Sequence, residues 1–113
     1  MEKDEILTES AGRLLDCLIM ENVFKVETTP VGDDDWYSGI PARPIPLFST
    51  DISAAWEVVK EMSAKNYWCH MGVLSSSCFA LFSTIKPMNQ FKAEATTYDL
   101  PLAICRAALL AMN

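Results

Sequence analysis

His70 is the chain's only histidine, so a general base, a metal ligand or a catalytic triad would each have to use it. Its neighbours Cys69 and Met71 point instead to a buried strand, and no partner stands at a recognisable spacing. Asp33–Asp35 offers carboxylate oxygens to Mg²⁺ or Ca²⁺. The run lacks the alternating order of a calcium loop, and adjacent side chains seldom converge on one ion, so a solvated acidic turn is expected. "SSSC" at 75–78 supplies hydroxyls and a thiol without the Gly-x-Ser-x-Gly elbow, and reads as a hairpin turn. Cys17, Cys69, Cys78 and Cys105 form no C-x-x-C pair. Two disulfides or a zinc site are open to them; four small buried hydrophobes in a reducing compartment suit their apolar surroundings better. No metal or cofactor is expected.

Binding chemistry concentrates in "DDDWYSGIPARPIP", residues 33–46. Trp36 or Tyr37 can stack on a base or nicotinamide ring, and Arg43 can hold a phosphate. Pro41, Pro44 and Pro46 stiffen the segment, so a bound shape loses little entropy. The competing reading packs Trp36 and Tyr37 on the sheet or on a neighbouring subunit. Thr50, with Ser49 and the free amides of a helix's first turn, has an anion-binding geometry. Asp51 would repel a phosphate there, and capping alone accounts for the three residues. Arg106 can reach an anionic ligand or a partner's carboxylate, or else pair internally with an acid on the first helix. The candidate ligand-binding set is therefore Trp36, Tyr37, Arg43, Thr50 and Arg106.

These side chains need elements to position them. Residues 5–22 follow helical spacing through Ile6, Ala11, Leu14, Leu15, Leu18 and Ile19, with Gly12 weakening the middle. Residues 50–64 form the clearest helix, capped by Ser49 and burying Ile52, Ala55, Trp56, Val59 and Met62. Residues 67–74 and 78–85 read as strands that are apolar on both faces, and such a sheet needs cover on both. After a turn at 86–90, residues 91–97 alternate cleanly, Phe91, Ala93 and Ala95 inward and Lys92 and Glu94 outward, as in a guarded edge strand. Residues 99–113 form a last helix, with Asp99 as cap, Pro101 in its first turn and Leu102, Cys105, Ala108 and Leu109 buried. The order α–α–β–β–β–α predicts an α+β fold: an α/β/α sandwich in which helices cover a three-stranded antiparallel meander on both faces. All 113 residues form one domain, with a loop at about 26–48 far longer than usual and so expected to be functional.

Composition narrows the function classes. The net charge is −6, and nine Lys and Arg are thinly spread, so duplex nucleic acid is not an expected partner. Hydrophobic residues make up 50 % of the chain, enough for a core and high for so small a domain, so a homo-oligomer is expected. No apolar run reaches the roughly 18–20 residues of a membrane helix. The polar, acidic start "MEKDEILTES" is unlike a secretory leader, so a cytosolic protein is expected.

Three segments resemble a known family. "GRLLDCLIMENVF" (12–24), "FSTDISAAWEVVKEM" (48–62) and "PLAICRAALLA" (101–111) are similar to the opening, central and C-terminal signatures of the phage ABA sandwich domain. The resemblance implies a bacteriophage origin, hence the cytoplasm of an infected bacterium, and an α/β/α fold, without a settled activity. The strand region "NYWCHMGVLSSSCFALFSTI" departs from the family in being unusually apolar. Three functions fit. One is a non-catalytic anti-defence oligomer that sequesters a nucleotide immune signal, of cyclic ADP-ribose or cyclic dinucleotide type, between Trp36, Tyr37 and Arg43. The second is a protein–protein module that inhibits a host protein. The third is a small hydrolase of such signals, which would depend on His70.

Overall fold

The computed structural model describes residues 2–31, 35–39, 43–85 and 92–112. Four helices and two three-stranded antiparallel sheets make a mixed α+β sandwich. The meander is as expected: β4 (Tyr67–Val73), β5 (Cys78–Thr84) and β6 (Lys92–Thr97) in that order. Ser75 and Ser76 form the turn between β4 and β5, closed by the Leu74 amide donating to the Ser77 carbonyl at 2.6 Å. The turn expected at 86–90, Phe91, and Asp33 and Asp34 lie outside the described residues.

The last helix, α4 (Leu100–Met112), is the centre of the molecule. Leu102, Cys105, Ala108 and Leu109 are buried as expected, and so are Ala103, Ile104, Ala107 and Ala111. A helix apolar on nearly every side must be surrounded. α4 packs on β5 and β6 on one side and on α3 (Ile52–Ala64) and α2 (Arg13–Asn22) on the other. Its small residues let these neighbours approach closely.

Four expectations need correction. The helix expected at 5–22 is two, α1 (Lys3–Thr8) and α2, broken before Gly12. Gly12 has φ 155° and ψ −169°, a conformation nearly confined to glycine, so the chain turns there. The expected loop at 26–48 contains a second sheet of β1 (Thr28–Val31), β2 (Asp35–Ser38) and β3 (Arg43–Pro44). α2 packs against β1 and β2, so the helices lie between the two sheets. The buried stripe of α3 is Ala55, Val58 and Met62, while Ile52 and Trp56 are each 48 % exposed; Leu14 of α2 is exposed as well. Finally, helix cover falls on one face of the meander. Ala80, Phe82, Ala93 and Ala95 are buried on the α4 side; on the other side Trp68, His70, Glu94 and Thr96 are exposed, Phe79 and Leu81 are half-buried, and Ser83, opposite Trp68, is buried.

Lys25, in the turn after α2, has φ 59°, where a side chain crowds its own backbone. It is exposed and makes no ion pair among the described residues. Lys25→Gly should therefore raise the unfolding free energy by about 0.5–1 kcal/mol in urea melts.

Candidate functional site

The strongest polar constellation in the molecule is buried and structural. Asp16, on α2 among Leu15, Cys17 and Ile19, is fully buried. Its Oδ1 accepts from the Ser49 amide at 2.8 Å and from the Ser49 hydroxyl at 2.7 Å. Ser49 Oγ in turn accepts from the Gly12 amide at 2.9 Å. Arg13 approaches Asp16 Oδ2 at 3.4 Å. Burial pushes the Asp16 carboxyl above its ordinary value, while the Ser49 hydrogen bonds and the Arg13 charge pull it back down. A few residues on, Phe24 stacks on Phe48 with ring centroids 5.3 Å apart. The segments 12–24 and 48–62 are thus clasped at two points.

Ser49 is consequently not the cap of α3. Asp51 is, accepting from the Ser53 amide at 2.9 Å. Thr50 is exposed, and its amide donates to the Leu47 carbonyl at 3.2 Å, so it is not free for an anion. Arg106 is the one charged residue of α4, and its Nε and Nη2 donate to the Glu9 carbonyl at 3.1 and 2.6 Å. It meets the N-terminal segment as the internal reading foresaw, through a backbone carbonyl in place of a carboxylate. This anchors the chain between α1 and α2 to the central helix.

The small sheet separates the other candidates. Adjacent residues of a strand point to opposite faces. Trp36 packs against the core, and Arg43, exposed and paired with Ser38, lies on the same side of the sheet. Tyr37 lies on the opposite side, paired with Thr29 and Pro44. Within one protomer the three therefore do not line one pocket. A recess of about 390 Å³ on the Thr29 side is lined by Val26, Glu27, Thr29 and Gly39, and its carboxylate does not suit a phosphate.

The cysteines are free. Burial raises the thiols of Cys17 and Cys69 to about 11 and that of Cys105 well above its ordinary value, so the three remain protonated. Among the described residues no three His, Cys, Asp or Glu side chains cluster for a metal.

His70 is where the sequence reading is overturned. It is exposed on the uncovered face of the meander, because the inward positions of β4 fall to Tyr67, Cys69 and Met71. Its ring meets that of Trp68 edge-on, centroids 4.9 Å apart. Trp68 is 41 % exposed. Cross-strand register places Phe79 and Leu81 beside them, then Glu94 and Thr96 on β6. Gly72 lets the Phe79 ring lie over it: a Cβ would stand 2.6 Å from Cε1 of Phe79, so the ring would have to shift. The result is an aromatic and aliphatic patch on the sheet face, with Glu94 at its β6 rim among the described residues. The sequence signal was present in the alternating Trp68, His70 and Gly72, but it was read as a second buried face. A second, apolar recess of about 430 Å³ lies on α3 beside Ile52, Ser53, Trp56 and Glu57.

A sequence model described as the phage ABA sandwich domain matches residues 18–109. No curated protein and no solved structure matches the chain.

Proposed function

This chain belongs to the phage ABA sandwich domain family, and from that premise we propose a phage-encoded, non-catalytic binding protein that inhibits a host protein by stoichiometric contact. The observation that carries this reading is the open face of the meander, where Trp68 stands half-exposed against His70 with Phe79 and Leu81 beside it. Small ligands are held in concave pockets, whereas a sheet face that exposes a tryptophan beside apolar side chains and a polar rim has the anatomy of a protein interface. An acidic chain with Glu94 at the rim fits a partner with a basic margin. The test is affinity capture from bacterial lysate with the unmodified chain and with Trp68→Ala, whose fold is checked by circular dichroism. One stoichiometric protein should be retained by the first and lost by the second. Equal retention by both overturns the assignment of this face.

The second reading is anti-defence sequestration of a nucleotide signal in an oligomer. It is favoured by Arg43, whose exposed position leaves its guanidinium available to a phosphate. Because Tyr37 faces away from Trp36 and Arg43, such a site would draw its residues from two copies. Calorimetry with cyclic ADP-ribose variants and cyclic dinucleotides tests it, and no heat at micromolar concentration removes it.

A further inference from the structure

The two sheets have four edges: β1 and β3 in the small sheet, β4 and β6 in the meander. Edges expose unpaired backbone groups, and folded proteins blunt them with proline or charge. β1 contains Pro30, β3 contains Arg43 and Pro44, and β6 contains Lys92 and Glu94. β4, "YWCHMGV", has neither proline nor formal charge, although it spans seven residues.

The groups of β4 that do not pair with β5 can be identified. The Leu74 amide donates to Ser77, and the Ile85 amide donates to Asn66, so both ends of the β4–β5 ladder are hydrogen-bonded pairs. Register between them is unbroken, from Tyr67 opposite Thr84 to Val73 opposite Cys78. Hydrogen-bonded and non-hydrogen-bonded pairs alternate in an antiparallel ladder. Trp68, His70 and Gly72 therefore bond to β5, and the N–H and C=O groups of Tyr67, Cys69, Met71 and Val73 point outward. Their side chains are consistent with an open edge: Cys69 and Met71 are only partly buried, whereas Phe82 and Ala80 opposite them are fully buried.

We infer that a second copy of this chain pairs antiparallel along β4, joining the two meanders into one continuous sheet. Composition selects this edge: β1 and β3 are blunted by proline and β6 by Lys92 and Glu94, whereas β4 carries neither, so no side-chain charge on the strand opposes a second copy of a chain with net charge −6. Geometry then selects the register. Full overlap of residues 67–73 sets Tyr67 against Val73 and Cys69 against Met71, so every outward group meets an outward group. The two-fold axis falls between the two His70 residues, a non-hydrogen-bonded pair whose side chains stand side by side on the open face. This pairing is independent of the target proposed above, and it would double the Trp68 surface.

Two measurements on the full chain test it. Amide hydrogen exchange of the unmodified protein should show Cys69 and Met71 protected at high concentration and released on dilution, with Glu94 and Thr96 on the guarded edge unchanged. Concentration-independent exchange at Cys69 and Met71, or dilution-sensitive protection at Glu94 and Thr96, overturns the proposal. His70→Glu and His70→Lys, each measured alone by sedimentation, should weaken dimerisation about two- to five-fold, and mixing them should favour the mixed pair. A mixture that dimerises no better than either variant alone overturns the His70-centred register.

Discussion

Asp16→Ala should unfold this protein more readily than any other single change in its polar network, by about 3–5 kcal/mol in urea melts. The alanine removes the acceptor for the buried Ser49 amide and the nearer acceptor for its hydroxyl, which is left with the Gly12 carbonyl at 3.3 Å. Such a loss is a large part of the roughly 5–15 kcal/mol that holds a domain together. Asp16→Asn keeps an oxygen for Ser49 and should cost only about 1 kcal/mol. The two variants also separate the charge from the hydrogen bonds. Burial raises the folded-state pKa of Asp16 above its ordinary 3.8. Folding therefore favours its protonated form. That contribution is fully present below about 3.8 and is lost as pH rises through the raised folded value. The advantage of wild type over Asp16→Asn should accordingly shrink as pH rises through that window, and differential melts at several pH values will show it.

Phe82→Ala should cost about 3–5 kcal/mol, by the same measurement. Phe82 is fully buried on β5, between Cys69 and Ala93, and faces α4. Its neighbours on the sheet, Ala80, Ala93 and Ala95, are too small to refill the space. A cavity that cannot collapse places the cost high in the usual range. Leu81→Ala, next along the strand but on the open face, should cost about 1 kcal/mol or less, because its side chain is only partly buried. The contrast measures how far the two faces of the meander differ.

The meander and the last helix were legible because their signals are local. Ala93, Glu94, Ala95 and Thr96 alternate at the period of a strand, and α4 is apolar throughout its length. The second sheet was hidden because its strands are short and carry Pro30 and Pro44, residues that ordinarily argue for a loop. In α3, apolar residues occupy so many consecutive positions that periodicity could not choose between Trp56 and Val58 as the inward side. Asp16 escaped notice because a lone carboxylate in an apolar helix looks like a solvated position until its partner, 33 residues away, is in place. The same holds at the candidate site. Trp36 and Tyr37 looked like one platform while they sat in a loop; in a strand, adjacency divides them. Sequence likewise showed that 67–85 is apolar on both faces, but only the fold shows which face the helices leave open.

The recognisable segments of this chain hold one another. Gly12, Asp16, Phe24, Phe48 and Ser49 meet each other, and Arg106 ties α4 to the adjoining turn. A double-mutant cycle between Asp16→Ala and Ser49→Ala tests that claim most directly. A coupling of about 1–3 kcal/mol is expected, with Asp16→Ala less damaging once the Ser49 hydroxyl is gone, the remaining cost being the backbone amide of residue 49 that still loses its acceptor. Additive effects, with no coupling between positions 16 and 49, would contradict it.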